Sequence, residues 1–461
     1  MSMGYKRQAK EKLPMTKCNA ERKFFQGDFF PFLKRRKIKA DFDGGNVTGD
    51  GGVLLLRQVE KRLGLLKRMG RVLESVDGRQ RGKVVHDALG LLTQRVYGIA
   101  LGYEDLNDHD ALRHDIAWQT AAGKTEKLAG SSTLCRFENA TSVRKACLAM
   151  MEVMVDVFIE SFDGPPEELI LDFDNTDAEV HGGQEGRFFH GYYDEYCFLP
   201  LYVFCGDKLV LALLQPSEDD GAKHAGAVLK FLVDKLRRKW PAVRIVYRGD
   251  SGFARKRHLR WCERNGVDYI VGLAKNNRLE AELTESMCDA EYLYQRGGGA
   301  ESVRLYKSFK YSAGSWRGVE RRVVGKAEFG PNGGNPRFVL TTLGGEPKDI
   351  YETFCARGNM ENRIKEQKLG LFSDRMSAHS WWTNQFRMLL SAAAYILLEE
   401  MRSRALAGTR LAKAQVETIR LKLLKIGAVV RRNTRSINFH LSSACPFQDL
   451  FWRIASIYAP P

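Results

Sequence analysis

The stretch ELILDFDNT at residues 168–176 limits the folds open to this chain more than any other. As an extended strand it sends Ile170, Asp172 and Asp174 to one face and Leu169, Leu171 and Phe173 to the other, because side chains alternate with period two. Two acids then interrupt an apolar, buried strand. An ionised carboxylate is costly to bury unless it is paired or coordinated, so acids at the carboxyl end of a central strand mark a candidate site. A second strand, VRIVY at 243–247, runs directly into Arg248-Gly249-Asp250-Ser251-Gly252. Asp250 is a second candidate, although Asp-Ser-Gly is also an ordinary turn.

Around these strands the hydrophobic period changes three times. Residues 52–66, 84–97 and 142–162 repeat apolar positions at three and four, with GSST at 130–133 as an N-terminal cap, which predicts a helical region over 1–163. Its first forty residues alternate basic and aromatic groups (Arg22, Lys23, Phe24, Phe25, Phe29, Phe30, Phe32, then LKRRKIK), the composition of a nucleic-acid-binding arm and equally of a basic tail. After Gly164-Pro165-Pro166, strands at 168–176, 198–205 and 208–215 form a meander. Helices at 222–239 and 254–265 then alternate with strands at 243–247 and 269–273, so 164–274 reads as a mixed α/β sheet. Residues 275–350 contain short strands (303–311, 319–329, 338–342) between glycine clusters and read as a β-rich insertion. The α/β core resumes over 351–404, and 405–461 reads as a basic, helical C-terminal segment.

Wound as one helix, FCARGNMENRIKEQK at 354–368 places Arg357, Glu361, Lys365 and Lys368 within a narrow arc, since offsets of four, four and three share a face. Met360, Ile364 and Leu371 fall beside it and would seat the helix on a core. One carboxylate thus stands in a basic stripe. A solvated face with i,i+4 ion pairs explains such a stripe equally well until Asp174 and Asp250 are considered with it. Three acids from two strand ends and a helix can form an oxygen cage for Mg²⁺, and two such ions suit in-line phosphodiester chemistry, with Arg357, Lys365 and Lys368 as phosphate contacts.

The charge balance agrees with a polyanionic partner. Lys plus Arg (72) exceed Asp plus Glu (56), a net +16, and between 402 and 435 ten basic residues meet one acid, Glu417. The longest apolar run, MLLSAAAYILL at 388–398, is too short to span a bilayer, so no membrane association is expected. The N-terminus has no apolar core of a secretory signal, and cytoplasmic residence is expected. Nine cysteines show no CxxC pair or zinc spacing, which excludes a disulfide framework and a structural zinc site as sequence readings. Trp381 and Trp382 read as buried packing rather than as a base-stacking pair.

Taken together, LDFDNTDAEVHGGQEGRFFHGYYDEYCFLPLYVF, YRGDSGF and ARGNMENRIKEQK resemble the DDE transposases of bacterial insertion sequences, and within them the IS1380 group, related to the IS4 superfamily. The IS4-type signature Tyr-x2-Arg-x3-Glu-x6-Lys stands here as Phe354, Arg357, Glu361 and Lys368, with Phe replacing Tyr. The resemblance spans roughly residues 42–451. It implies an RNase H-like catalytic core interrupted by a β-rich insertion, with Asp174, Asp250 and Glu361 as catalytic metal ligands. It favours Asp174 over Asp172 and Glu361 over Glu366. It further implies two Mg²⁺ ions (Mn²⁺ able to substitute), terminal inverted repeats and target DNA as partners, a synaptic homodimer, DNA binding by the N-terminal and C-terminal regions, and a nucleoid-associated bacterial protein. Two other readings compete: an RNase H-like nuclease that does not join strands, and a domesticated, non-catalytic DNA-binding protein.

Overall fold

The computed structural model describes residues 33–36, 38, 40–79, 82, 84–141, 143–316 and 318–459; the basic and aromatic residues before 33 lie outside this range. A short strand, β1 (Val47–Thr48), precedes helices α1 (Val53–Leu63), α2 (Leu65–Glu74), α3 (Ala88–Leu101), α4 (His109–Leu112), α5 (Ile116–Ala121), α6 (Ser131–Thr141) and α7 (Arg144–Glu160). The helix expected over 52–66 is divided at Gly64, whose φ of +67° ends α1 in a left-handed cap and starts α2 in a new direction. The Asp87 side chain caps α3 by accepting from Gly90 N at 2.7 Å.

The chain then builds a sheet. From β2 (Glu168–Asn175) it passes through a small antiparallel sheet of β3 (Ala178–Glu179), β4 (Phe188–His190) and β5 (Glu195–Phe198) to β6 (Leu201–Cys205) and β7 (Lys208–Leu213). Helix α8 (Ala225–Lys239) crosses to β8 (Arg244–Gly249), and α9 (Lys256–Arg264) crosses to β9 (Asp268–Leu273). Strands β2, β8 and β9 are mutually parallel, whereas β6 and β7 are antiparallel to their neighbours.

Two expectations require correction. The segment after β9, expected as a β-rich insertion, opens with the 20-residue helix α10 (Asn277–Arg296), which Asn276 caps by accepting from Arg278 N and Leu279 N. Its strands, β10 (Val303–Tyr311), β11 (Arg321–Gly330), β12 (Gly333–Gly334) and β13 (Arg337–Thr341), extend the central sheet, because β13 pairs with β9. The sheet order is β10-β11-β13-β9-β8-β2-β6-β7, with β12 beside β11. Next come α11 (Pro347–Cys355), α12 (Gly358–Lys365), a π-helical turn (Glu366–Gly370), α13 (Trp381–Glu400), a second π turn (Met401–Ala405) and α14 (Val416–Ile419). The C-terminal segment is not wholly helical. Strands β14 (Ala428–Arg432) and β15 (Ile437–Leu441) form a hairpin that pairs with β1 before α15 (Gln448–Ile457). Alternating side chains and an Asn433 turn that accepts Arg435 N and Ser436 N produce it.

The two faces of β2 divide the interior. Leu169, Leu171 and Phe173 join the main core, a single cluster that runs from Val53 to Tyr458. Helix α13, buried along most of its length, packs in this core against α3, α7 and β7. On the other face a smaller cluster of Val246, Ile270, Val324 and Val339 is covered by Ile350 and Tyr351 of α11, with Ile170 and Phe354 at its margin. Docking α11 on this face carries the chain that follows it over Asp172 and Asp174.

Candidate functional site

Parallel pairing of β2 with β8 brings the acids together. Asp172 lies opposite Arg248 and Phe173 opposite Gly249, so one step further Asp174 and Asp250 stand at neighbouring strand ends. The two aspartates of β2 have different partners. Asp172, 2% exposed, accepts from Arg248 Nε and, at 2.7 Å, from Arg248 Nη2, while Arg248 Nη1 donates to Thr353 O at 2.5 Å. This buried pair ties β2, β8 and α11 together and commits Asp172 to structure. Asp174, 8% exposed, faces Arg357 instead, whose Nη1 lies 2.8 Å from Oδ2. Asp250 caps the turn after β8, with Oδ1 accepting from Gly252 N at 2.8 Å.

Arg357 also reaches Glu361 Oε1 at 3.2 Å. Burial pushes the Asp174 carboxyl up to about 7; Arg357 opposes this, and the charges of Asp250 and Glu361 reinforce it. Asp174, Asp250 and Glu361 therefore share one electrostatic neighbourhood. The single helix expected over 354–368 is broken, with α11 ending at Cys355 and α12 starting at Gly358. Phe354 consequently belongs to the preceding helix and packs at the smaller apolar cluster. Met360, Ile364 and Leu371 are buried as the seat of this region.

The expected basic stripe is dispersed. Arg357 is engaged by two acids, and Lys365 is exposed with no ion pair among the described residues. Lys368, on the π-helical turn, reaches Asp177 Oδ2 at 3.0 Å and Thr176 Oγ1 at 3.4 Å, just beyond the end of β2. Glu366 is buried between Arg402, 3.0 Å from each of its oxygens, and Arg363 at 2.8 Å. It anchors the turn to the end of α13 and is remote in role from the acids. Sequence reasoning missed Arg248, Thr176 and Asp177. For Arg248 a signal existed in YRGD, where a cation ends an apolar strand just before an acid.

The donor chemistry suits a hard divalent cation: three carboxylates concentrate negative charge that Arg357 relieves only in part. Their arrangement is not yet a cage, since no three acid, His or Cys side chains among the described residues surround one point. Arg357 stands between two of the donors.

The mixed sheet with helices packed on it makes this an α/β protein. A protein-family model described as transposase DDE domain group 1 matches residues 30–459; the chain belongs to this family and is a DNA transposase. No curated protein sequence matches it. Among solved structures it is similar to piggyBac transposase in a synaptic complex with hairpin DNA, at 11% identity over 81% of this chain and 80% of that one, with a TM-score of 0.41. Among the described residues no helix is long and apolar enough to cross a membrane.

Proposed function

We propose that this enzyme is a cut-and-paste transposase of the IS1380 type, acting in the bacterial cytoplasm on the terminal inverted repeats of its own element, with Asp174, Asp250 and Glu361 as its catalytic acids. The carrying observation is that β2 and β8 bring Asp174 and Asp250 to neighbouring strand ends while Arg357 draws Glu361 toward them. The order β7-β6-β2-β8-β9, parallel only from β2 to β9, supports an RNase H-like core. The synaptic species is a homodimer holding two transposon ends and target DNA.

The three acids would hold Mg²⁺, which when bound supplies Lewis-acid polarisation of the scissile phosphate and of the attacking oxygen. Asp174 and Asp250 face the reacting phosphate from the sheet, and Glu361 closes on it from α12. Lys365 grips the strand through a free ammonium. Arg357, once released from its acids, joins it, and Lys368 holds the backbone at Thr176. In cleavage, water oxygen bonds to phosphorus, the P–O3′ bond breaks and the 3′ oxygen leaves as a hydroxyl. In joining, that hydroxyl attacks a target phosphodiester, whose own 3′ oxygen departs.

Pre-cleaved transposon ends incubated with target plasmid test the reading: joined products are expected, and nicking without joining would identify a nuclease. Glu361→Gln should abolish both steps at unchanged melting temperature; full activity in that variant would remove Glu361 from the site.

A further inference from the structure

The stretch HGGQEGRFFHGYY at 181–193 is a built element. It starts seven residues after Asp174, lies between β3 and β5 on the path from β2 to β6, and contains β4, which makes a hairpin with β5 through a tight tip at 191–194. Its root is fixed to the segment before α13: Glu185 N donates to His379 O at 2.8 Å, Gln184 Nε2 donates to Met376 O at 3.1 Å, and Trp381 N donates to Glu185 Oε2 at 3.2 Å. Gly186, at φ +78°, lies so close to the Trp381 ring that a Cβ would stand 2.8 Å from it. The tip is fixed too, since His190 O accepts from Tyr193 N at 3.1 Å and from Asp194 N at 2.8 Å, with Asp194 at φ +57°.

This rigid hairpin holds aromatic rings in water. Phe189 is 53% exposed, Tyr192 84% and Tyr196 48%. Phe189 and Tyr196 are cross-strand partners with ring centroids 5.6 Å apart, and the Arg187 guanidinium lies 4.6 Å from the Tyr196 centroid. Phe198, two residues beyond Tyr196 on the same face, packs edge-on to Trp381 at 5.1 Å. Glu179 and Glu195 are register partners of Cys197 and His190, which puts both acids on the opposite face. The ring face of the hairpin thus presents aromatic surface and one cation. At the tip Tyr192 packs against Tyr193 at 5.0 Å, and burial together with the charge of Asp177 raises the pKa of the Tyr193 hydroxyl.

We propose that the β4–β5 hairpin is a base-stacking platform, with Tyr192, Phe189, Tyr196 and Arg187 receiving unpaired nucleobases of the DNA strand whose phosphodiester lies at Asp174, Asp250 and Glu361. It rests on the transposase reading of those acids and extends it to the bases flanking the cut. Every base has a π face, and aromatic rings that already stand exposed offer it a stacking surface. A second copy of the chain is the other candidate occupant. The Arg187 guanidinium beside the exposed rings favours a nucleic acid, whose bases stack on the rings and whose phosphates attract the cation.

The test uses the full-length protein, a single-stranded oligonucleotide carrying 2-aminopurine, and the blunt duplex of the same sequence. Wild type should quench 2-aminopurine in the single strand. Tyr192→Ala should weaken single-strand binding about tenfold and reduce the quenching while duplex affinity changes less than about twofold, and Tyr192→Trp should restore both. Equal loss on single strand and duplex, or no loss on either, overturns the platform. A fall in sedimentation mass with quenching intact overturns it in favour of an interface between copies. Glu361→Gln separates the two claims: it should retain quenching while losing cleavage. Retained cleavage in that variant refutes the acid assignment, whereas altered quenching by Tyr192→Ala still reports on the platform.

Discussion

Arg357 approaches Asp174 at 2.8 Å and Glu361 at 3.2 Å, and a guanidinium in that position neutralises two carboxylates much as a bound divalent ion would. The two cations compete for one place. Arg357→Ala is therefore expected to tighten Mn²⁺ binding at pH 8 about fivefold, near 1 kcal/mol for a pair that is partly solvated, as read by electron paramagnetic resonance titration. Weaker binding would show instead that Arg357 orients the acids. Glu366 gives the contrasting case: Glu366→Gln removes the charge between Arg402 and Arg363 and should cost about 3 kcal/mol in urea denaturation. Sequence periodicity put Asp172 and Asp174 on one face but could not separate them. Their difference comes from Arg248, seventy-odd residues away and aligned by strand register, and register between distant strands is not a local property.

Among elements, those with a strong period were legible from residues alone: β2, α7, α8, β8, α9 and β9. Those set by tertiary partners were not. Helix α10 has helix-favouring residues throughout and a good cap, yet the glycine-punctuated strands after it dominated the reading of that segment. The break between α11 and α12 arises because α11 is seated on the smaller core while Arg357 turns toward Asp174. Helix α3 carries a further hidden feature. Its Gln94 and Arg95 contact the fully buried His109 ring at 3.1 Å each, and Arg95 also pairs with Glu138 at 2.7 Å. Burial, aided by the Arg95 charge, lowers His109 to about 3. Between that value and the ordinary 6.5 the unfolded chain holds a proton that the folded chain lacks, so stability falls as pH drops through this window. The slope approaches about 1.4 kcal/mol per pH unit. Melting temperature should fall more steeply from pH 6.5 to pH 4.5 in wild type than in His109→Gln, and parallel curves would contradict the burial of a neutral ring.

Across the whole molecule, the excess of positive charge divides into cations that build the fold and cations that remain available. The basic run 402–435, whose charge suggests a polyanionic partner, is largely committed to the fold. Arg402 pairs with Glu366 and Glu399, Arg410 with Asp449 at 2.9 Å, and Lys425 with Asp50 at 2.8 Å. Arg420, buried, donates to Ala100 O at 2.9 Å, Ile99 O at 3.2 Å and Gly370 O, joining the end of α3 to the π-helical turn that carries Lys368. Lys413, Arg431 and Arg435 are exposed, form no ion pair among the described residues and are available to a polyanion. The two groups should separate on substitution. Arg420→Ala removes a donor from three carbonyls, of which Ile99 O keeps Gly102 N at 3.1 Å, and should cost about 3 kcal/mol, visible as a lowered melting temperature before any effect on DNA is considered. Replacing Lys413, Arg431 and Arg435 together by Ala should leave the melting temperature unchanged. If all three touch phosphates, the slope of log affinity against log salt should fall by nearly 3, since each neutralised phosphate contributes about 0.9. An unchanged slope would move the DNA track off the C-terminal hairpin and onto the face that carries Lys365.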